Sequence, residues 1–160
     1  MIKKLLVFSS VVVLLSSCVK SKDTGCQYKE STVVAPASEQ ATLQTYVNAN
    51  DPAAILHPSG FYYKITAPST GSVTPGVCSS VTVRYSGYLT NGTKFDENLS
   101  GINFVLGGLI IGWQKGIPLI KKGGTITLYL PPSLGYGSNA VGSIPANSIL
   151  IFYIQLLDVQ

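Results

Sequence analysis

The sequence is poor in the residues that carry most hydrolytic chemistry. Among its 160 residues it has one histidine, His57, and seven acidic residues. A serine or cysteine nucleophile needs a base positioned beside it, and the sequence has no Gly-x-Ser-x-Gly motif, so both classes of hydrolase are disfavoured. From residue 60 onward the acidic residues are Asp96, Glu97 and Asp158, which provide no candidate pair of facing carboxylates for a glycosidase.

The sequence also lacks the motifs of phosphate-binding loops and of metal sites. Gly107-Gly108 and Gly123-Gly124 are short glycine pairs, and neither begins a motif that ends in Lys-Ser or Lys-Thr. One histidine, without any cluster of cysteines or acids at ligand spacing, does not make a metal site. We therefore predict a protein that uses no metal and no cofactor.

The first 17 residues have the composition of a signal peptide. Lys3 and Lys4 precede an apolar stretch, residues 5–15, that is too short to span a bilayer as a helix. The sequence Leu15-Ser16-Ser17-Cys18 resembles the bacterial lipobox, which predicts cleavage before Cys18 and attachment to a membrane through acyl chains on that residue. The alternative is an ordinary export signal followed by a chance cysteine. We predict a location in the bacterial cell envelope, on the outer membrane, facing either the periplasm or the cell surface.

Charge and the other cysteines agree with an exported protein. Cleavage removes both lysines of the signal and lowers the formal charge from +4 to +2, without any basic run that would support nucleic-acid binding. Cys26 and Cys78 then remain as a pair in a compartment where disulfides persist, so we predict a bond between them. Two unpaired, partly buried thiols are the alternative.

The pattern divides the chain into four segments. After the signal, residues 1–17, the polar residues 18–37 predict a lipidated tether that holds the rest away from the membrane. Residues 38–59 predict a short helix and a linker, because Leu43, Tyr46 and Val47 recur at helical spacing, with Ser38 as N-cap and residues 50–52 as a stop. Residues 60–160 form the predicted domain.

Strand and turn signals dominate that domain. The strand candidates are residues 61–67, 77–89, the segment after the Asn91-Gly92 turn, 125–130 and 149–157, and the last is apolar on both faces, as a central strand would be. Residues 109–117 predict a short helix, and residues 131–148 a long functional or mobile loop. The predicted fold class is α+β, an antiparallel twisted sheet wrapped around one short helix, with an N-terminal tether and a short extra helix.

Five segments of this domain carry aromatic residues and glycines at a distinctive spacing. They are Tyr85-Ser-Gly-Tyr-Leu-x-Asn-Gly-x-x-Phe95-Asp96, Phe104-Val-Leu-Gly, Ile110-Ile-Gly-Trp113, Leu130-Pro-Pro-x-Leu-Gly-Tyr136-Gly and Ile144-Pro-Ala-Asn-Ser-Ile-Leu-Ile-Phe152. In order and spacing they resemble the FKBP-type peptidyl-prolyl cis-trans isomerases, over about residues 60–160. Taken singly, Tyr85, Phe104, Trp113 and Phe152 are typical of a hydrophobic core.

The resemblance implies a role for each pocket residue. Trp113 would form the floor under a substrate proline ring, and the Ile110 N–H and the Tyr136 hydroxyl would donate hydrogen bonds to substrate carbonyls. Asp96 would lie at the edge, orienting a neighbouring side chain or acting electrostatically on the twisting amide, and Ile144 would close the flap side. The implied catalytic residues are Asp96 and Tyr136. The implied substrate-binding residues are Tyr85, Phe95, Asp96, Leu109, Ile110, Trp113, Tyr136, Ile144 and Phe152.

Rotation about an Xaa-Pro bond needs neither a nucleophile nor a metal, which agrees with the residues that the sequence lacks. The resemblance therefore implies an isomerase acting on unfolded or folding exported polypeptides with Xaa-Pro bonds, with tacrolimus or rapamycin as inhibitors. The implied partners include the membrane, through the lipid anchor, and exclude nucleic acid. The alternative function is a non-catalytic, chaperone-like module that binds proline-containing chains.

Overall fold

A computed structural model describes residues 25–160, so the predicted signal peptide and Cys18 lie outside the described residues. Within residues 25–160, six strands form one antiparallel sheet in the order β1-β2-β5-β6-β3-β4, which confirms the predicted fold class. No helix in this part of the chain is long and apolar enough to cross a membrane.

The elements are α1 Ala37–Asn50, β1 Ile55–Leu56, β2 Tyr62–Ala67, β3 Ser80–Leu89, β4 Lys94–Val105, α2 Ile111–Gly116, β5 Thr125–Leu130 and β6 Leu150–Val159, with 3₁₀ turns at Leu106–Gly108, Ile117–Leu119 and Pro132–Leu134.

Strand β6 is central, as its continuous apolar run predicts. It pairs with β5 on one side and with β3 on the other. Ile154 and Leu156 lie in the main core on the concave face of the sheet, whereas Ile151 lies in a second cluster on the opposite face. Because side chains alternate along a strand, two covered faces require apolar residues at successive positions.

Helix α1 covers part of the outer face. Leu43 and Val47, four residues apart on one side of the helix, pack against Tyr62, Tyr129 and Ile151 of the sheet. At the end of the helix, a carboxylate adds polar contacts: Asp51 accepts a hydrogen bond from Lys64 Nζ at 2.7 Å and another from Tyr129 Oη at 2.9 Å. The helix is therefore attached to the sheet by both an apolar face and a part-buried polar cluster.

Helix α2 lies close to the concave face because it presents two glycines to the sheet. Gly112 and Gly116 are four residues apart and share one side of the helix. A Cβ on Gly112 would lie 2.4 Å from Leu130 Cδ1, and one on Gly116 would lie 2.6 Å from Leu128 Cδ1. Only glycine permits this approach, which sets the depth at which Trp113 enters the core.

The predicted tether, residues 18–37, is not a free spacer where the structure describes it. A disulfide joins Cys26 to Cys78, with 5.6 Å between their Cα atoms. Further along, Ser31 O accepts a hydrogen bond from Lys115 Nζ at 2.6 Å, and Ala35 N donates to Ser59 O at 3.0 Å. From Cys26 to α1 this segment therefore lies against the domain, held by bonds that its polar composition does not reveal.

Several predicted boundaries differ from the structure. Helix α1 begins at Ala37, after Pro36, so Ser38 is inside the helix and is not its N-cap. The sheet begins before residue 60, because the short strand β1 in the predicted linker pairs with β2. The predicted loop 131–148 contains a 3₁₀ turn and an isolated bridge between Val141 and Ile144.

Candidate active site

A cavity of about 230 Å³ opens between the concave face of the sheet and the segment that leads into α2. Drug-sized ligands usually occupy pockets of about 300–1,000 Å³. This smaller cavity suits a ligand group the size of one side-chain ring. Its walls are aromatic and aliphatic with one carboxylate: Tyr85, Asp96, Phe104, Leu109, Ile110, Trp113, Tyr136 and Phe152.

Trp113 is fixed by three aromatic neighbours. Its ring makes edge-to-face contacts with Tyr85, at a centroid distance of 5.1 Å, and with Phe152, at 5.2 Å. Phe104 is a third edge-to-face neighbour at 6.3 Å. Each such pair contributes about 0.5–1.5 kcal/mol beyond area burial, so the orientation of the indole is well determined. The three rings hold the indole in place beneath the cavity.

Phe95 and Asp96 face the same side of the sheet, although neighbours in a regular strand face opposite sides. Gly87 and Tyr88 of β3 pair with Asp96 and Lys94 of β4, which leaves Phe95 as the extra residue of a β-bulge. Asp96 then bonds to Tyr85, while the Phe95 ring packs edge-to-face on Phe152 with centroids 5.4 Å apart.

Gly87 makes room for this arrangement. A Cβ at Gly87 would lie 2.6 Å from the ring of Phe95 and 3.0 Å from Phe152 Cε1. Contacts under about 3 Å would force one of the rings to move. The absence of a side chain at Gly87 therefore lets the two phenylalanines meet over the strand.

The polar edge of the cavity is a tyrosine–carboxylate pair. Tyr85 Oη donates a hydrogen bond of 2.6 Å to Asp96 Oδ2. Burial, then the hydrogen bond and charge of Asp96, raise the pKa of Tyr85 well above its usual value. Burial, and then the charge of Asp96, also raise the pKa of Tyr136. Both hydroxyls therefore stay protonated and able to donate at neutral pH.

Three groups at the cavity are hydrogen-bond donors without an acceptor within residues 25–160. They are the backbone N–H of Ile110, which lies just before α2, the Tyr136 hydroxyl and the buried Trp113 Nε1. Donors without a protein partner at the wall of an apolar cavity are available to a ligand carbonyl. The cavity thus combines an apolar floor with a few directional polar groups, which is typical of ligand sites.

The structure brings seven of the nine predicted substrate-binding residues to this cavity: Tyr85, Asp96, Leu109, Ile110, Trp113, Tyr136 and Phe152. Phe95 and Ile144 do not line it, because Phe95 lies behind Phe152 and Ile144 is buried in the adjoining core. Phe104 lines the cavity but was absent from the predicted binding residues. The signal that could have identified it is its place in Phe104-Val-Leu-Gly, one of the five segments that carry the family resemblance.

A larger groove of about 560 Å³ lies elsewhere, between α1, the β3–β4 turn and the loop before β6. Hydroxyl and amide side chains make up much of its wall, including Thr42, Asn91 and Asn147. Its one carboxylate, Glu39, accepts a hydrogen bond from Ser133 N at 2.9 Å. The larger groove therefore lacks the aromatic floor of the smaller cavity, and we assign the site to the smaller one.

Comparison with known families gives one match that covers more than half of the chain. The sequence model described as FKBP-type peptidyl-prolyl cis-trans isomerase matches residues 71–157. That range contains all eight residues that line the smaller cavity.

Curated relatives carry the same description. The chain is 48% identical over 105 residues to the FKBP-type peptidyl-prolyl cis-trans isomerase FkpA of Buchnera aphidicola subsp. Schizaphis graminum, covering 64% of this chain and 42% of that protein. It is 40% identical over 105 residues to FkpA of Escherichia coli K12, covering 64% of this chain and 38% of that protein. The match thus spans only about two fifths of the length of these relatives.

Solved structures agree with the sheet topology. The crystal structure of FkpA from Escherichia coli superposes with a TM-score of 0.69 at 36% identity, covering 78% of this chain and 60% of that chain. A peptidyl-prolyl cis-trans isomerase from Pseudomonas syringae pv. tomato superposes with a TM-score of 0.68 at 27% identity, covering 79% of this chain and 97% of that chain.

Proposed function

The chain belongs to the FKBP-type peptidyl-prolyl cis-trans isomerase family, and we propose that it catalyses rotation about Xaa-Pro bonds of polypeptides in the smaller cavity. The observation that carries this proposal is the combination of a tryptophan floor with two free donors, the Ile110 N–H and the Tyr136 hydroxyl. Such a site can bind a proline ring and the carbonyls beside it, without proton transfer.

The barrier to rotation is about 18–20 kcal/mol, because the planar amide loses its resonance when it twists. The twisted amide is less dipolar than the planar one, so an apolar cavity costs it less solvation. A ten-thousandfold acceleration requires about 5 kcal/mol of binding that favours the twisted state. Preoriented donors on carbonyls that flank the rotating bond hold the ends of the substrate, and they need no reorganisation during the reaction.

Asp96 has an electrostatic role in this mechanism. Its carboxylate is exposed at the edge of the cavity and is held in place by Tyr85. Loss of resonance leaves the carbonyl carbon of the substrate more positive, and a fixed negative charge nearby favours that state. Asp96 thus acts as an oriented charge, whereas Trp113 supports the proline ring.

The proposed substrates are exported proteins, and the proposed location is the bacterial envelope on a lipid anchor at Cys18. The Cys26–Cys78 disulfide supports an oxidising compartment, where such bonds persist. Acyl chains on Cys18 would hold the protein on the outer membrane, facing the periplasm or the cell surface. Tacrolimus or rapamycin would inhibit by occupying the same cavity.

The test is the cis–trans exchange rate of an Xaa-Pro peptide, measured by NMR exchange spectroscopy with purified protein. We expect catalysed exchange, and we expect Asp96→Asn to lower kcat/KM about tenfold, the equivalent of about 1.4 kcal/mol. Asp158→Asn is the matched control, because that carboxylate is in an exposed ion pair with Lys122 away from the cavity. Exchange no faster than the uncatalysed rate, with folding confirmed by circular dichroism, would exclude the proposed function.

A second function, holding proline-containing chains without turnover, is favoured by the larger groove alone. An extended chain could lie in that groove beside the loop that carries Pro145. Suppression of client aggregation that survives Asp96→Asn would support this function, whereas loss of suppression with that variant would assign the effect to the smaller cavity.

A further inference from the structure

One side chain holds the carbonyl end of the Leu109–Ile110 peptide group. Gln114 Nε2 donates to Leu109 O at 2.7 Å and to Gly107 O at 3.2 Å. A side-chain amide nitrogen carries two hydrogens, so both bonds form at the same time. Gln114 follows Trp113 in α2 and is part-buried, on the side of the helix that lines a separate crevice with Lys115 and Ser31.

The position of Gln114 fixes the direction of the Ile110 N–H. The C=O of Leu109 and the N–H of Ile110 belong to one peptide plane, and in a trans peptide they point in opposite directions. The described residues contain no cis peptide bond. Because the C=O points to Gln114, the N–H points away from it, towards the cavity that Leu109 and Ile110 line.

Two backbone N–H groups that precede Ile110 in the loop are occupied. Gly107 N donates to Val77 O at 2.7 Å, and Leu109 N donates to Leu106 O at 3.1 Å. The ring of Tyr28 packs on the same loop, since a Cβ on Gly107 would lie 2.3 Å from Tyr28 Cγ. The loop is therefore braced from both sides, and within residues 25–160 the Ile110 N–H is left without an acceptor.

We propose that Gln114 is a positioning residue for isomerisation. Its amide holds the Leu109–Ile110 peptide plane so that the Ile110 N–H meets a substrate carbonyl in the twisted state, and its hydrogen bond to Leu109 O polarises that N–H into a stronger donor. This inference rests on the proposed function, because the Ile110 N–H acts only if the smaller cavity binds the substrate.

Two substitutions of Gln114 separate a positioning role of its side chain from a packing role. Gln114→Met keeps the length of the side chain but removes the donor. Gln114→Glu also removes the donor while its carboxylate is ionised, but a protonated carboxylic acid regains an O–H that can donate to Leu109 O. Rates are measured by NMR exchange spectroscopy from pH 8 to pH 5, each divided by the rate of the unmodified protein at the same pH.

At pH 8 we expect both variants to lose about fivefold to tenfold in kcat/KM. Towards pH 5 the relative rate of Gln114→Glu should rise about twofold, because part of a glutamate with a pKa of about 4.3 is then protonated. The relative rate of Gln114→Met should stay constant. A side chain with only a packing role gives no such pH-dependent recovery. Gln44→Glu and Gln44→Met, on the exposed side of α1, are the matched controls and should follow the unmodified protein at every pH.

The outcomes separate a failure of the proposed function from a failure of the positioning role of Gln114. An unmodified protein without catalysed exchange overturns the proposed function and this inference together. An active protein whose Gln114→Met variant stays within twofold overturns the positioning role alone. If Gln114→Met does not fold, the Gln114→Glu profile decides: recovery at low pH supports the role, and a constant relative rate overturns it.

Discussion

Tyr85 and Asp96 are joined by a 2.6 Å hydrogen bond between neighbouring strands, at the position where β4 carries an extra residue. Tyr85 is also an edge-to-face neighbour of Trp113, so one side chain connects the carboxylate at the edge of the cavity to the indole at its floor. Because the pKa of Tyr85 is raised, mainly by burial, its hydroxyl remains a donor across the neutral pH range. Asp96 is therefore an oriented acceptor.

Tyr85→Phe should weaken this connection without removing the ring. We expect kcat/KM to fall several-fold, because Asp96 loses the group that orients it, and the free energy of unfolding to fall by about 1 kcal/mol. Peptide exchange by NMR and urea denaturation measure the two effects. Tyr153→Phe is the control, since that ring lies exposed on the outer face against Tyr88. Equal activity of Tyr85→Phe and the unmodified protein would contradict the assigned role.

Gly87→Ala should distort the aromatic wall. The new Cβ would lie 2.6 Å from the Phe95 ring and 3.0 Å from Phe152, so at least one ring must move. Overpacking of this kind costs about 1–3 kcal/mol of unfolding free energy, and we expect the substrate KM to rise as well. Gly76→Ala is the matched control, because its Cβ would meet no atom within 4 Å. The prediction is wrong if the two alanine variants unfold at the same urea concentration.

Reduction of the Cys26–Cys78 disulfide should destabilise the domain. The bond closes a sequence separation of 52 residues, and removing a native crosslink of this kind costs about 2–4 kcal/mol. Urea unfolding with and without a phosphine reductant measures the loss, with Cys18 replaced by alanine in every sample to prevent mixed disulfides. A Cys26→Ala/Cys78→Ala variant should unfold like the reduced protein and ignore the reductant. An unchanged midpoint on complete reduction would refute the stabilising role.

His57 should make the stability of the domain fall below about pH 6.5. Its ring stacks on Phe61 with centroids 4.3 Å apart, and its Nδ1 accepts a hydrogen bond from Ser59 N. Burial, and then the charge of Lys115, lower the pKa of His57 in the folded state. The unfolded chain therefore binds a proton first, near its ordinary pKa of about 6.5, and the free energy of unfolding decreases as the pH falls towards the folded pKa.

Urea denaturation at pH 7.5 and pH 5.5 measures this effect. His57 is the only histidine, so His57→Gln should remove most of the pH dependence in that interval. The carboxylate of Asp51 does not interfere, because its hydrogen bond with Lys64 holds its pKa below the usual range. The same slope in the variant and the unmodified protein would assign the pH dependence to other groups.

Much of the sheet could be predicted because its local signals agree with its packing. The Asn91-Gly92 turn lies between β3 and β4 as expected, and the apolar run of β6 does lie in the centre of the sheet. Most of the pocket residues that the family resemblance implied also meet at one cavity.

The features that were missed depend on contacts between distant segments. The bulge at Phe95 is set by the register of β4 on β3, which no local pattern in β4 reveals. Residues 26–36 are polar and predict a tether, yet a disulfide and backbone hydrogen bonds hold them on the domain. The role of Gln114 likewise requires the positions of two carbonyl oxygens that sequence spacing does not give.

The most direct test of the account is the indole N–H signal of Trp113 in a ¹H–¹⁵N NMR titration with an Xaa-Pro peptide. Trp113 is the only tryptophan, and its Nε1 is buried with no hydrogen-bond partner within residues 25–160, so one signal reports on the floor of the smaller cavity. We predict a saturable shift of this signal with the proline peptide and none when alanine replaces the proline. An indole signal that stays fixed while the amides of Asn147 and Ser148 in the larger groove move would contradict the account.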